Sequence, residues 1–332
     1  NPNTKIILIG CLTEKPNYSN NNIDFILNNK NKYNLQQFLK NNISQHDKQS
    51  EKNEFTLTWS TSQRTRAFLK IQEGCNYFCS YCIIPYVRGT NRSASINDVV
   101  NTANKITQQG FKEIVLTGIN LGEFGKKNNE TLTDLIIKLS QIDELKRIRI
   151  SSIEPNLITD DLLTLFQKNS KLMPHFHIPL QSGSNKILKL MNRRYDTTLF
   201  ENVINKINLL IPNACIAIDI IVGFPYETDN DFNDSLQFLQ KLNIAYMHIF
   251  PFSPREYTKA ALFNNQVPDN EKKKRVKIMQ QLSNSKMKNF CNQFINTSHN
   301  VLFETITNNN YLIGHTPNYL KVISPLPKNL IN

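Results

Sequence analysis

Short apolar runs of strand length alternate with amphipathic stretches of helical period between residues 64 and 268. The apolar runs predict six β-strands, at 67–72, 113–118, 147–153, 175–180, 216–222 and 246–250. Between them, apolar positions recur about every three to four residues and predict helices at 96–109, 132–141, 160–168, 198–210 and 229–241. Six strands separated by helices predict an α/β fold with a parallel sheet. Periodicity alone allows either an incomplete (β/α)6 TIM-type barrel or an open, doubly wound sheet.

Polar or glycine-bearing segments follow all six predicted strands. They are Glu73-Gly74-Cys75, Thr117-Gly118-Ile119-Asn120, Ser151-Ser152-Ile153-Glu154-Pro155, Gln181-Ser182-Gly183-Ser184, Gly223-Phe224-Pro225 and Ser253-Pro254-Arg255. Turn formation accounts for the glycines and prolines, but not for the recurring Gln, Glu and Ser. Because the C-terminal ends of the strands carry the active site in parallel barrels, these segments predict one shared pocket.

The chain also divides by composition. Residues 1–45 contain two short apolar runs, at 5–9 and 23–27, which predict the remnant of a small N-terminal α/β domain. Residues 46–63 are mainly polar and charged and are interpreted as a linker. The strand and helix pattern predicts a barrel domain over 64–290, followed by a small C-terminal unit over 291–332. Since the chain starts without Met inside a strand-like segment, we expect its natural N-terminus to lie upstream.

The chain is strongly basic, with 39 Lys and Arg against 27 Asp and Glu, a formal charge of +12. Such a surplus favours a polyanionic partner such as RNA over an acidic small molecule. The abundance of Lys and Asn allows the alternative that the charge only solvates the surface. No apolar run has the length of a membrane helix, so we expect no membrane partner.

The segment GCNYFCSYC places Cys75, Cys79 and Cys82 three and then two residues apart. Three thiolates on one short loop can hold three irons of a 4Fe-4S cluster and leave the fourth iron open to a ligand. An electron-transfer ferredoxin closes its cluster with a fourth Cys, and no further Cys follows Cys82 until Cys215. The spacing therefore favours a cluster that takes part in chemistry.

Two other interpretations of the cysteines compete with this one. A zinc site would complete its tetrahedron with another Cys or a His, and the next such residue after Cys82 is His175. A disulfide framework is typical of small, cysteine-dense secreted domains, whereas this chain has six Cys in 332 residues. Both interpretations fit the spacing less well than an iron-sulfur cluster does.

The segment CNYFCSYC, with an aromatic residue before its last cysteine, resembles the signature of radical S-adenosylmethionine (SAM) enzymes. FLKIQEGC before the loop, IIPYVRG after it, HIPLQSGS from His177 and DIIVGFP from Asp219 resemble the methylthiotransferase branch. Three kinds of methylthiotransferase act on isopentenyladenosine in tRNA, on threonylcarbamoyladenosine in tRNA, or on a ribosomal-protein aspartate. KIQEGC, TGINLGEFG and RIRISSIEP are most similar to the threonylcarbamoyladenosine branch. The resemblance covers nearly the whole chain.

This resemblance implies a radical SAM barrel, two 4Fe-4S clusters and SAM as cofactors. Cys75, Cys79 and Cys82 would hold the catalytic cluster, which cleaves SAM to a deoxyadenosyl radical that attacks the adenine ring. The second, auxiliary cluster supplies a methylated sulfur and is held by three N-terminal Cys, of which Cys11 matches the third. By motif position, the expected SAM contacts are Tyr81, Gly118, Asn120, Ser152, Glu154, Gln181, Asp219 and Val222. A strand-end carboxylate with a purely structural role is the alternative for Glu154 and Asp219.

The family also carries a C-terminal RNA-binding β-barrel called TRAM, and 301–322 resembles its opening strands. We expect the chain to stop before the closing strands, or 325–332 to form an abbreviated edge. The expected RNA contacts are Arg88, Arg92, His315, Asn318, Tyr319 and Lys321. For Arg88 and Arg92, a salt bridge within the barrel is the alternative. The run 271–277 reads mainly as a solvated helix face.

The resemblance further implies a cytoplasmic, monomeric enzyme. Its expected partners are the anticodon stem-loop of tRNA and an electron donor such as flavodoxin or ferredoxin. Two rival classes remain: a noncatalytic RNA-binding protein, which would not need the Cys triplet, and a zinc-binding nucleic-acid module. The position of Cys215 and Cys291 matches no family ligand, and both are interpreted as structural.

Overall fold

The computed structural model describes residues 4–14, 23–28, 35, 55–60, 65–307 and 311–325. Most of the predicted linker, 46–54 and 61–63, lies outside these residues, as do 326–332 of the C-terminal unit. No helix within the described ranges has both the length and the apolar character that a membrane span requires.

Fourteen strands and eight α-helices are defined in the described residues. The strands are β1 (Ile7–Ile9), β2 (Phe25–Leu27), β3 (Thr58–Trp59), β4 (Arg66–Lys70), β5 (Gln72–Glu73), β6 (Arg92–Ser93), β7 (Glu113–Thr117), β8 (Arg147–Ile150), β9 (His175–Gln181), β10 (Cys215–Val222), β11 (Tyr246–Pro251), β12 (Leu302–Ile306), β13 (Leu312–His315) and β14 (Lys321–Ser324). The helices are α1 (Ile84–Arg88), α2 (Ile96–Gln108), α3 (Leu132–Ser140), α4 (Asp160–Lys168), α5 (Asn185–Leu190), α6 (Thr197–Leu210), α7 (Asp229–Lys241) and α8 (Asp269–Asn292). All six predicted barrel strands and all five predicted helices are confirmed.

The order of the parallel strands decides between the two predicted architectures. β4, β7 and β8 pair in parallel, as do β9, β10 and β11. The bridges Ile148–Leu172 and Ser152–His177 join the two groups. The six strands therefore lie side by side in chain order, without the reversal that defines a doubly wound sheet. This arrangement is an incomplete (β/α)6 barrel, and no pairing of β11 with β4 closes it in the described part of the chain.

Sequence-encoded caps begin the helices around the barrel. The side chains of Ser95, Thr131, Thr159 and Asp196 accept hydrogen bonds from the first turns of α2, α3, α4 and α6. Thr228 and Asp231 form a capping box at α7. Because each cap satisfies backbone N–H groups that the helix leaves unpaired, the helices start at fixed points after the strand ends.

The two faces of the sheet have opposite character because successive strand residues point to opposite sides. The outer face packs against the helices in one hydrophobic core, through Ala67, Leu69, Ile114, Leu116, Ile148, Ile150, Phe176, Ile178, Leu180, Ile216, Ile218, Ile220, Val222 and Met247. The alternate residues define the inner face: Arg66, Lys70, Glu113, Thr117, Arg147, Arg149, His175, His177, Asp219, Tyr246 and His248 are its polar and ionisable members. The barrel interior is thus polar.

One part of the predicted linker is a strand. β3 pairs antiparallel with β4, so that Thr58 lies opposite Lys70 and Trp59 opposite Leu69. The ring of Trp59 meets Phe111 edge to face, with centroids 6.1 Å apart. Phe55, Leu57 and Trp59 all pack against the core. Their alternation with polar residues is a strand signal, and the prediction of a linker over 55–60 was wrong.

The two ends of the chain form small sheets of their own. β1 and β2 pair in parallel, which confirms the short strands expected near the N-terminus. β12, β13 and β14 form an antiparallel sheet at the other end. Arg66 donates to Glu304 over 2.9 Å, and Arg147 donates to the His315 carbonyl over 3.1 Å. Since Arg66 and Arg147 begin β4 and β8, this sheet docks on the N-terminal end of the barrel.

Candidate active site

The three-cysteine loop begins directly after β5, at the C-terminal end of the first barrel strand. Gly74 stands at φ +75°, and a Cβ there would meet the Thr90 carbonyl oxygen at 2.1 Å. The Cys75 amide donates to the Gly89 carbonyl over 3.2 Å. Phe78, at φ +50°, turns the chain between the first two cysteines. Close backbone contact and left-handed geometry therefore fix the path of the loop.

The three thiols lie together and form no disulfide. Cys75 and Cys79 are buried, Cys82 is half-buried, and all three are free. Tyr77, Tyr81 and Leu157 pack around them. Burial raises the pKa of Cys75 to about 12 and also raises the pKa values of Cys79 and Cys82. Without a metal the thiols are thus protonated, so metal binding would release protons.

The donor set fits a 4Fe-4S cluster with one open iron. Cys75, Cys79 and Cys82 supply three soft sulfur ligands, which suit iron-sulfur clusters. Tyr77, Tyr81, Ile84, Ile119 and Leu157 are the hydrophobic side chains that pack with the three cysteines in the described residues. A closed zinc tetrahedron would need a fourth protein ligand there. That Cys75, Cys79 and Cys82 together hold such a cluster stays a prediction.

Arg193, which the sequence reasoning did not single out, connects the loop to the rest of the site. Its Nη1 donates to Sγ of Cys79 over 2.9 Å and to the Tyr81 hydroxyl over 3.3 Å. Its Nη2 forms an ion pair with Glu154, and its Nε donates to the Tyr195 hydroxyl over 3.0 Å. Burial raises the pKa of Glu154, although the charge of Arg193 opposes this shift. The buried guanidinium of Arg193 therefore connects the cysteine loop to Glu154, the carboxylate that follows β8.

Gln72 was also missed by the sequence reasoning, and it fixes the second strand end. Its Oε1 accepts from the amides of Ile119 and Asn120 over 2.7 and 3.0 Å. Its Nε2 donates to the Asn91 side chain over 2.7 Å. A Cβ on Gly118 would approach the same Oε1 to 2.7 Å, so the turn after β7 requires glycine here. A polar Gln at the end of the predicted strand 67–72 was the available signal.

The predicted SAM contacts fall into two groups. The polar ones lie at the C-terminal ends of neighbouring strands, as predicted: Gly118 and Asn120 after β7, Ser152 and Glu154 after β8, Gln181 at the end of β9. Asn120 is 2% exposed, and its Nδ2 has no hydrogen-bond partner among the described residues. A buried amide with a spare donor suits a bound polar ligand.

Two further predicted contacts, Asp219 and Val222, lie on β10 itself. The Val222 side chain is 1% exposed and packs in the outer-face core, so it does not reach the pocket. Asp219 lies inside β10, where its Oδ1 meets Nε2 of His177 at 2.7 Å. The strand alternation that turns Val222 toward the helices is the physical reason for the first misassignment.

The N-terminal segment lies against the helix that follows the cysteine loop. The short helix Cys11–Glu14 contacts α1, and Nε of Arg88 donates to Sγ of Cys11 over 3.4 Å. Arg92 donates to the Arg88 carbonyl over 2.6 Å, and its guanidinium lies 3.5 Å from Glu73. Arg92 thus forms a salt bridge within the protein, as in the alternative, whereas Arg88 is engaged with the sulfur of Cys11. Cys11 lies on the same side of the barrel as the thiol loop.

Three of the four predicted C-terminal RNA contacts dock the small sheet on the barrel. The Tyr319 ring stacks between His175 and His315, with both centroid distances 4.6 Å. Asn318 is 2% exposed and donates to the Asn213 carbonyl over 3.1 Å. These contacts bury polar groups between the two units, which does not fit direct RNA contact. Lys321 is exposed at the start of β14, and its contact with RNA stays a prediction.

The basic run on α8 is only partly solvated. Lys273, Lys274 and Lys277 are exposed, as predicted. Lys272 and Arg275 are 7% and 3% exposed, and Arg275 pairs with Glu227 over 2.6 Å. The prediction of a uniformly solvated face was wrong for these two, because their stems cover the β10 end of the barrel.

Comparison with known families agrees with the incomplete parallel barrel and its three-cysteine loop. The family described as the Radical SAM superfamily matches residues 69–239, from the first barrel strand into α7. The solved structure of the radical S-adenosylmethionine methyltransferase TsrM from Kitasatospora setae aligns with a TM-score of 0.51 at 13% identity, over 59% of this chain and 38% of that one. This likeness concerns the fold alone. The chain belongs to the Radical SAM superfamily.

Curated relatives narrow the assignment. The threonylcarbamoyladenosine tRNA methylthiotransferase MtaB of Bacillus subtilis is 39% identical over 79% of this chain and 59% of its own length. The MtaB of Chlamydia pneumoniae is 36% identical over 98% of this chain and 76% of its own length. The tRNA-2-methylthio-N(6)-dimethylallyladenosine synthase of Rickettsia canadensis is 38% identical over 77% and 58%. Within the superfamily, the chain belongs to the methylthiotransferase family, although it spans less than two thirds of several of these relatives.

Proposed function

We propose that the intact protein is a tRNA methylthiotransferase that converts N6-threonylcarbamoyladenosine to its 2-methylthio derivative. The observation that carries this proposal is the group of three free thiols at the C-terminal end of the first strand of an incomplete parallel barrel. The neighbouring strand ends supply buried polar groups facing the same side. An active site at this end of the barrel is the general rule for such folds.

The residues of this chain would serve the cofactors as follows. Cys75, Cys79 and Cys82 would hold a 4Fe-4S cluster, and Asn120 and Glu154 would bind polar groups of SAM. When bound, the cluster and SAM supply the radical chemistry that a ring carbon without acid or base reactivity requires. Arg193 neutralises Glu154 and orients Cys79. The protein's own work is positioning and exclusion of water.

A second 4Fe-4S cluster would use Cys11 as one of its ligands. Two observations support it: Cys11 lies in a short helix that contacts α1, and its sulfur faces Arg88. A sulfur-donating cluster has to reach the substrate beside the first cluster, and Cys11 lies next to the helix that follows the thiol loop.

The sequence motifs at the strand ends favour threonylcarbamoyladenosine over isopentenyladenosine as the substrate. KIQEGC, TGINLGEFG and RIRISSIEP are typical of that branch. The polar inner face also suits a substrate that carries hydroxyl and carboxylate groups better than an apolar isopentenyl chain. Methylthiolation of isopentenyladenosine remains the second candidate, since several relatives, the Rickettsia canadensis protein among them, are named as synthases of the methylthio derivative of dimethylallyladenosine.

The proposed partners follow from charge and chemistry. A formal charge of +12 suits the tRNA anticodon stem-loop, and exposed Lys273, Lys274 and Lys321 are candidate phosphate contacts. An external one-electron donor such as flavodoxin or ferredoxin would reduce the cluster. We place the enzyme in the cytoplasm, where tRNA is modified, and expect a monomer.

Anaerobic reconstitution tests the cluster assignment. The protein should bind iron and sulfide and release deoxyadenosine from SAM when reduced. Cys79→Ala should abolish deoxyadenosine formation, because the cluster loses one of its three ligands. Cys291→Ala is the matched control: Cys291 is free and exposed on α8, so both iron content and deoxyadenosine formation should persist. Equal activity of the two variants would refute the assignment.

Nucleoside mass spectrometry of tRNA tests the substrate. Cells that lack the intact gene should accumulate threonylcarbamoyladenosine without its methylthio group, and the intact wild-type gene should restore the group. The intact gene carrying Cys79→Ala should not. Loss of the methylthio group from isopentenyladenosine, with the threonylcarbamoyl species unchanged, would show that the second candidate is correct.

A further inference from the structure

Three potential metal ligands that take no part in the cysteine loop meet on the inner face of the barrel. They are His177 of β9, Asp219 of β10 and His248 of β11, which come from three adjacent strands. One donor atom from each lies within 4.8 Å of the other two. Nε2 of His177 and Oδ1 of Asp219 are 2.7 Å apart, and the two imidazole rings meet at a centroid distance of 5.4 Å.

Strand register brings these residues together. Asp219 pairs directly with His248 across the β10–β11 ladder, and His177 pairs with Ala217, two residues before Asp219 on the same face. The β9–β10 register shifts between Asp219 and Ile220. Such bulges re-aim a side chain and are frequent beside functional sites. The group is therefore set by the sheet itself rather than by mobile loops.

The three side chains are accessible to a ligand from the barrel interior. His177 and Asp219 are 28% and 19% exposed, and His248 is exposed. Burial of the ring lowers the pKa of His248, partly opposed by Asp219, which favours the neutral imidazole that metals bind. Tyr246 packs edge to face against His248 and holds its ring in place.

A hydrogen-bonded His–Asp pair is the simpler explanation, and it accounts for His177 and Asp219 alone. That explanation does not account for His248, whose imidazole lies beside the same carboxylate. Two imidazoles and one carboxylate form the donor set that divalent transition metals prefer. Metal–ligand distances of about 2.0–2.2 Å allow donor atoms to be separated by about 3–4 Å, so a small rotation of His248 completes the set.

We propose that His177, Asp219 and His248 bind one divalent transition-metal ion inside the barrel, and that zinc is the ion whose ligand preference fits best. Three protein ligands leave a fourth position that faces the interior. An ion there would accept an oxygen ligand, as the open position of a three-ligand zinc site does. The proposal concerns this chain alone and does not depend on which nucleoside is the substrate.

The test uses cluster-loaded protein, in which iron occupies the thiols. Zinc is added, excess is removed by gel filtration, and zinc and iron are counted by mass spectrometry. Wild type should retain about one zinc per chain. His248→Ala should weaken zinc binding at least about 100-fold, since loss of a mere supporting contact already costs 10–100-fold. Its iron content and thermal unfolding serve as checks of loading and folding.

His299→Ala is the matched control, because His299 is exposed on the segment after α8 and lies outside the group. It should keep the zinc of wild type. Asp219→Asn gives a second route to the same result: the folded variant should also lose zinc. Retention of one zinc by folded, iron-loaded His248→Ala and Asp219→Asn would overturn the proposal, as would wild-type protein that retains no zinc.

Discussion

Arg193 donates a hydrogen bond from Nη1 to Sγ of Cys79 over 2.9 Å, although the two residues are 114 positions apart in the chain. Arg193 lies between α5 and α6, and its other nitrogens engage Glu154 and Tyr195. Its side chain is 2% exposed. A buried cation in contact with a thiolate acts on the electronic properties of whatever that thiolate binds.

Replacing Arg193 should therefore shift the reduction potential of the cluster. Reduction adds negative charge to the sulfurs, so a hydrogen bond to Cys79 stabilises the reduced form and raises the potential. Arg193→Met should lower the midpoint potential by roughly 65–130 mV, from a charged hydrogen bond worth about 1.5–3 kcal/mol and about 59 mV per tenfold change. A redox titration followed by electron paramagnetic resonance measures the shift.

Arg194→Met is the control, since it removes the same charge one residue away. Arg194 lies over the Tyr77 ring at 4.0 Å and has no hydrogen bond to a cysteine in the described structure. Its potential should stay close to that of wild type. Equal shifts in the two variants would mean that general charge, and not the sulfur contact, sets the potential.

Residues whose role follows from local pattern could be predicted, and those whose role depends on distant contacts could not. The cysteine spacing and the apolar strands are local, so the loop and the alternation of strands and helices were accessible from the sequence, whereas periodicity left the order of the strands open. Arg193 was not, because nothing near it in the chain indicates its contact with Cys79. Similarly, Lys272 and Arg275 sit in a basic run typical of a solvated face, yet packing of α8 on the barrel buries them.

Glu227 and Arg275 form a buried ion pair that should be sensitive to loss of one partner. Both side chains are 4% exposed, and Glu227 also accepts from the Gly223 amide over 3.0 Å. Glu227→Ala should lower the free energy of unfolding by about 2 kcal/mol, because it removes the buried carboxylate of the pair, although Arg275 keeps Asp229 at 2.7 Å. Glu271→Ala, which removes a half-exposed partner 3.4 Å from the same arginine, should cost less than about 1 kcal/mol. Urea unfolding followed by fluorescence of Trp59, the sole Trp, compares the two; equal losses would contradict the argument.

Tyr319 should be the main anchor between the C-terminal sheet and the barrel. Its ring stacks on His175 and His315, and the Arg149 guanidinium lies 4.7 Å from its centroid. Tyr319→Ala should cost about 2–3 kcal/mol, from two aromatic contacts and the lost burial. Tyr311→Ala in the same unit removes a ring that is 42% exposed and should cost less than about 1 kcal/mol. Thermal unfolding of both variants checks this, and an unchanged Tyr319→Ala would show that the ion pairs alone hold the sheet.

The same interface should make stability depend on pH through His175. Burial holds the pKa of His175 well below its ordinary value of 6.5, with the charge of Arg149 acting in the same direction. Below about pH 6.5 His175 therefore binds a proton in the unfolded chain but stays neutral in the folded protein. Its contribution to the free energy of unfolding is complete above that pH and declines as the pH falls. The loss of stability between pH 7.5 and 5.5 is about 1.4 kcal/mol.

His175→Phe keeps a flat ring against Tyr319 and removes the titration, so the unfolding free energy of this variant should fall less over that range. His299→Phe, at an exposed site, should retain the wild-type slope. A His175→Phe variant with the wild-type slope would place the titrating group elsewhere.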